Sequence, residues 1–165
     1  MATISTLVQL GELVKIEPSL DPHDQPWRCI YGVPNFIEWL DTILPQIQTT
    51  IVGGDTTPLE QVDAIFYDYV SGETLDFNRR FKKLARTPDL FIWEFKTLDI
   101  RIFGWIPQKD HFICVLGDTK DDIETYNRYG RHMAQTYATR TQLNLDEPKC
   151  LESKEYNDVL SDANK

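Results

Sequence analysis

Two histidines, a late cluster of tyrosines and a few isolated bases are the residues of this chain whose types suit chemistry. His111 opens an apolar run, and His132 follows Tyr126, Arg128 and Tyr129. Lys96, Arg101 and Lys120 are spaced through 90-LFIWEFKTLDIRIFGWIPQKDHFICVLGDTK-120, where short polar turns separate three apolar runs. A histidine or tyrosine beside arginine and lysine can cleave RNA. A base takes the 2′-hydroxyl proton, an acid supplies one to the leaving 5′-oxygen, and cations stabilise the charge on phosphorus. Each histidine also has an ordinary reading as a surface or packing residue, and the spacing permits the chemistry without diagnosing it.

Arg101 sits between Asp99 and Phe103, and alternation puts it on one strand face with Phe103 and Trp105. A base there needs a carboxylate, solvent or a ligand. Glu94 is the expected cross-strand partner. The segment 79-RRFKKLAR-86 supplies Arg79, Arg80, Lys82, Lys83 and Arg86. It reads either as a solvated helix face or as a surface for phosphates or an acidic partner. No phosphate loop, dinucleotide fingerprint, nucleophile elbow or HExxH zinc motif is present. GDTKDD at 117–122 is too short for a calcium loop and fits a helix N-terminus, where acids complement the dipole. Cys29, Cys114 and Cys150 are far apart and lack zinc spacing, so they read as reduced thiols. The sequence calls for no metal and no cofactor.

The net charge is −9 over 165 residues, which opposes nonspecific nucleic-acid binding. The charge is uneven. Arg79 to Arg101 holds seven bases and three acids, which leaves the rest of the chain at −13. A hydrophobic content of 41% supports a folded core. No apolar run is long enough to span a bilayer, and the first 20 residues lack a signal-peptide pattern, so a cytoplasmic protein without membrane contact is expected.

The elements that must position these residues follow from periodicity. Residues 1–26 read as an N-terminal extension ending in a proline-rich linker, 27–151 as one domain, and 152–165 as a polar, acidic, frayed tail. WRCIY at 27–31 is a short strand. A helix follows from Asn35 with Phe36, Trp39, Leu40 and Ile43 on one side, limited by Pro45. Thr57-Pro58-Leu59-Glu60 opens a second helix by a capping box, and Gly72 closes it. A short amphipathic helix is expected over 76–85. The three apolar runs form an antiparallel meander, one late helix covers 120–141, and LNLDEPKCL docks as a closing segment. The fold class is α+β: a small, mainly antiparallel sheet, with three meander strands plus an N-terminal strand, and helices packed on one side.

This order of elements resembles the RelE/HigB-like toxin superfamily, including its phage-related branch, over residues 27–142. The likeness rests on Leu84, on Ile92-Trp93-Glu94-Phe95-Lys96, on Ile100-Arg101-Ile102, on the strand Phe112 to Leu116, and on Gly117-Asp118-Thr119-Lys120. The resemblance implies a metal-independent endoribonuclease that cuts mRNA, often on the ribosome, and is restrained by an antitoxin protein. It implies phosphate or transition-state contacts for Lys96 and Arg101, and further backbone contacts for Lys120 and the Lys82/Lys83 segment. It offers His111, His132 or a late-helix tyrosine for proton transfer. The fold also carries gyrase inhibitors and relatives without catalysis. The acidic balance therefore supports an alternative, a non-catalytic interaction protein such as a phage or mobile-element inhibitor of a host or defence nucleoprotein complex.

Overall fold

Aromatic side chains from consecutive apolar runs build the centre of the fold. The computed structural model describes residues 1–163. Its six strands are β1 (Val14–Lys15), β2 (Cys29–Gly32), β3 (Phe81–Lys83), β4 (Trp93–Lys96), β5 (Ile100–Trp105) and β6 (His111–Thr119). They form one mixed sheet, in the order β1-β2-β6-β5-β4-β3, and the fold is α+β. The meander β4-β5-β6 is antiparallel, as its short turns require. β2 pairs with β6 in parallel, and β1 closes one edge antiparallel to β2.

Alternation sorts the charges from the core. Phe95 pairs with Ile102, and its ring meets Phe81, Phe112 and Tyr69. Tyr69 belongs to α3 (Pro58–Ser71), which therefore covers that face. Its start is the expected capping box of Thr57 and Glu60, and Gly72 ends it with a φ of 87°. Glu94 and Phe103 face the other way, and Phe103 meets the rings of Tyr129 and His132. Those two belong to α5 (Tyr129–Gln142). Helices thus lie on both faces of the sheet, not on one side as the sequence reading had it. The physical reason is that Phe103, Leu116 and Ile113 make the second face apolar enough to need a cover.

Residues 76–85 are not a helix. They form a turn, with Asn78 left-handed at φ 67°, followed by strand β3. Phe81 stacks on Trp93 at 4.7 Å and pairs in register with Phe95. Sheet pairing and aromatic burial override a local pattern in which Phe77, Phe81 and Leu84 fit a helix equally well. The late helix is also divided, into α4 (Lys120–Thr125) and α5, at a left-handed Asn127 with φ 51°. The break leaves Tyr126 and Tyr137 exposed, while Ile123 and Met133 are buried.

The first helical stretch begins as α2 (Pro34–Glu38), widens into a π turn over Trp39–Ile43 and ends as a 3-10 turn over Leu44–Gln46. The wider turn rotates Ile43 out to solvent. Trp39 lies over Gly117, where a Cβ would stand 2.4 Å from the indole. Gly104 sits at the bulge between β5 and β6, where a Cβ would come within 2.0 Å of the Ile113 carbonyl oxygen.

Both termini join the core. α1 (Ile4–Gln9) buries Leu7, and Leu13 is buried just before β1. The closing segment docks as expected, with Leu145 buried and the Trp105 indole N–H bonded to the Lys149 carbonyl at 2.8 Å. The tail is not frayed. It forms α6 (Tyr156–Val159), buries Val159 and Leu160, and engages fully buried Arg28 through Ser161 and Asp162. Asp110 accepts from the Ser161 backbone N–H at 2.6 Å. Residues 164–165, the last two of the expected tail, lie outside the described residues. Among the described residues no helix is long and apolar enough to cross a membrane.

Candidate functional site

The sheet face under the start of α5 gathers most of the charged residues that the sequence reading singled out. One row across the sheet is Lys96, Arg101 and Asp118, and the next is Lys82, Glu94, Phe103 and Leu116. The cross-strand partner of Arg101 is therefore Lys96, and that of Glu94 is Phe103. The expected Glu94–Arg101 cross-strand pair does not form, because the two residues are offset by one row along the strands. Arg101 is 7% exposed, and its Nη1 donates to the carbonyls of Thr97 at 2.6 Å and Ile100 at 3.0 Å. Like charges directly opposite are unfavourable.

Glu94 is 1% exposed, and among the described residues its Oε2 has no hydrogen-bond partner; the Arg101 Nε is likewise buried and unpartnered there. Burial pushes the Glu94 carboxyl above the usual carboxylate range, against the pull of Arg101, Lys96, Lys82 and a bond to Tyr129. Burial lowers Lys96, Arg101 lowers it further, Glu94 opposes this, and Lys82 and Lys120 add to the lowering. Burial raises the Tyr129 hydroxyl and Glu94 adds to this, while Arg101 opposes it. These mutual effects define one electrostatic cluster of Lys82, Glu94, Lys96, Arg101, Lys120 and Tyr129. Lys82, Lys96, Lys120 and Tyr129 are half-buried and form its rim.

His132 belongs to an adjoining group. Its Nε2 lies 2.7 Å from Asp118 Oδ2, and Arg128 Nη1 donates to the same oxygen at 3.1 Å. Burial would raise the Asp118 carboxyl, but the bonds from His132, Arg128 and the Thr119 N–H outweigh it and hold the group below the usual range. The His132 Nδ1 is buried without a partner among the described residues. α4 begins beside this group. Thr119 caps it, Asp121 and Asp122 occupy its first turn, and the Lys120 N–H reaches the Asp99 carbonyl at 2.8 Å.

His111 does not join the cluster. It starts β6, stacks with Tyr31 at 6.1 Å and contacts the Lys109 carbonyl at 2.9 Å. Asp118 lies seven residue steps along the strand from it, about 23 Å at the usual rise. The bases of 79–86 also divide. Lys82 points to the cluster, opposite Glu94, whereas Lys83 points to the other face and pairs with Asp89. Arg80 pairs with Asp68 at 2.9 Å, Arg79 approaches Asp76 at 3.9 Å, and Arg86 is exposed. Arg79, Arg80 and Lys96 line a cleft of about 380 Å³ at the strand edge, together with Gln61, Thr97 and Leu98.

Two pairs of site residues carried a local signal in their spacing. Glu94 and Lys96 are two apart in a strand and must share a face. Tyr129 and His132 are three apart in a helix and do the same. Which face meets which helix is a tertiary matter. Comparison with models of known protein families, with curated proteins and with solved structures returned no match.

Proposed function

We propose that this chain is a toxin-like endoribonuclease on a RelE/HigB-like scaffold, acting without a metal at the cluster of Lys82, Lys96, Arg101 and Lys120. The observation that carries the reading is the cross-strand pairing of Lys96 with Arg101, two bases in register on one sheet face and within electrostatic reach of Lys82 and Lys120, with the Lys96 ammonium resting on the Asn78 carbonyl at 3.1 Å. A phosphate between them turns mutual repulsion into attraction. Lys96, held below the usual lysine range, is suited to take the 2′-hydroxyl proton. O2′ then bonds to phosphorus, the P–O5′ bond breaks, and Tyr129 supplies the proton to O5′. Arg101 and Lys82 stabilise the charge that develops on phosphorus. In this reading His132 is a positioning residue through Asp118, and His111 has no part. The partners are RNA, alone or on the ribosome, and an antitoxin that covers the cluster.

A second reading has its own observation. Arg79, Arg80 and Lys83 each face a carboxylate, and the chain as a whole is at −9. An acidic body with neutralised surface bases suits a non-catalytic inhibitor of a host or defence nucleoprotein complex. Induced expression of wild type and Lys96→Gln, read by growth and mRNA integrity, separates the two. Growth arrest with fragmented mRNA, lost in the variant, supports the nuclease. Unbroken mRNA in wild type overturns it.

A further inference from the structure

Among the described residues, three of the four buried side-chain polar atoms without a hydrogen-bond partner, Glu94 Oε2, Arg101 Nε and His132 Nδ1, lie on the sheet face or helix around the start of α5. A buried polar atom without a partner is unfavourable, so these atoms keep hydrogen-bonding capacity that an entering group could satisfy. We propose that Glu94 reads the Watson–Crick edge of a guanine base, with Arg101 beside it and Tyr129 as the ring on which the base stacks. The inference rests on the reading of this cluster as an RNA site and names the nucleotide it selects.

The donor pattern decides the base. A carboxylate accepts at two oxygens and donates nothing. Guanine offers two adjacent donors on that edge, the N1–H and the N2 amino group. Uracil offers one donor flanked by carbonyls, and adenine and cytosine set an acceptor beside their amino group, which an ionised carboxylate repels. Charge decides the kind of ligand. Lys82, Lys96 and Arg101 all act on Glu94. An arginine inserted by a protein would face three like charges, whereas a neutral base on an anionic backbone is attracted by them. Tyr129 is half-buried, already meets Phe103 at 5.7 Å, and is the first residue of α5 after the left-handed Asn127 and the N-cap Arg128, whose side chain turns to Asp118 instead of capping the helix. Aromatic rings in such places hold bases by stacking. Entry of the base requires the ring to swing from over Glu94.

The test uses the full chain and non-cleavable 2′-O-methyl pentanucleotides with a uridine host and one central G, inosine, A or C, read by fluorescence anisotropy. Inosine keeps the N1–H and lacks the N2 amino group. Wild type is expected to bind the G oligonucleotide about tenfold tighter than the inosine one, the value of one hydrogen bond to a charged group. Glu94→Gln, verified as folded by circular dichroism, is expected to bring the two within about twofold. The inosine comparison needs no variant, so it stands if Glu94→Gln fails to fold. Equal affinity for all four oligonucleotides overturns the guanine inference and leaves the RNA reading. Binding of none of them overturns both, and G-selective binding without cleavage of the matching RNA, free or on ribosomes, supports the inference while overturning the nuclease. A Glu94 carboxyl carbon-13 shift with N-acetylarginine amide, and none with guanosine 3′-monophosphate, overturns the inference in favour of an arginine from a protein partner.

Discussion

Lys96 and Arg101 stand directly opposite each other across the β4–β5 pair, and each is a base. Lys96 is held below the usual lysine range, with burial first and Arg101 next among the causes. Its charge is therefore less favourable in the folded state than in the unfolded chain. Lys96→Gln is expected to raise stability at neutral pH by about 0.2–1 kcal/mol, measured by urea unfolding. The same substitution is expected to lower RNA cleavage by roughly a hundredfold or more. A gain in stability joined to a loss of activity separates a functional base from a structural one.

Glu94 gives a pH signature of the opposite sign to that of an ion-paired carboxylate. Its folded pKa is raised by burial, although Lys82 on β3, Lys96 on β4, Arg101 on β5 and Tyr129 on α5 all pull it down. The raised value adds stability that is fully present below the ordinary glutamate range and lost as pH rises through the folded value. Glu94→Gln is thus expected to melt higher than wild type at pH 7, and the difference is expected to vanish in acid. A pH series of thermal melts checks this. A variant less stable than wild type at pH 7 would show that the carboxylate is held by its neighbours after all.

Asp118 has the reverse dependence. Burial opposes its ionisation, but His132, Arg128 and the Thr119 N–H hold it below the usual range. The resulting stability is present above the ordinary aspartate value and lost as pH falls through the depressed one. Asp118→Asn is expected to destabilise by about 2 kcal/mol at neutral pH. The deficit should shrink below the ordinary aspartate pKa. Chemical denaturation at pH 7 and at low pH measures both.

The tail is structural and lies far from the base cluster. It is latched by Arg28 and Asp110, at the end of the sheet where β6 begins, whereas the cluster lies where β6 ends. Arg28→Ala is expected to cost about 3–5 kcal/mol, because Asp162 loses its buried partner and several carbonyls lose their donor. Truncation after Glu155 should lower the melting temperature without raising RNA cleavage below that temperature. A rise in cleavage would instead mark the tail as an inhibitor in cis.

Backbone crowding makes a sharper prediction at one glycine. A methyl at Gly104 would stand 2.0 Å from the Ile113 carbonyl oxygen and 2.6 Å from the Phe112 ring. Gly104→Ala is expected to cost about 3 kcal/mol or more, read as a loss of soluble folded protein and a lowered melting temperature.

Much of the local structure was legible in the chain. The capping box at Thr57 and Glu60, the stop at Gly72, the meander and the helix start at Thr119 follow from short-range chemistry that works the same way in any context. The helix expected at 76–85 failed because Phe77, Phe81 and Leu84 satisfy two periodicities, and pairing with β4 chose between them. The unbroken late helix failed at Asn127, a residue type that tolerates the left-handed conformation without demanding it.

The candidate site divides along the same line. Its residue types, and the sharing of a strand face by Glu94 and Lys96, are properties of the sequence, because side-chain alternation in a strand is local. The register that sets Lys96 against Arg101 and leaves Glu94 opposite Phe103 is not local. Nor is the docking of α5, which brings Tyr129 to the cluster, ties His132 to Asp118 and leaves His111 at the far end of β6. Those contacts join residues distant in the chain, and they exist because the sheet has a second apolar face to cover. The chain by itself determined which groups were available for chemistry, and only packing decided which of them meet.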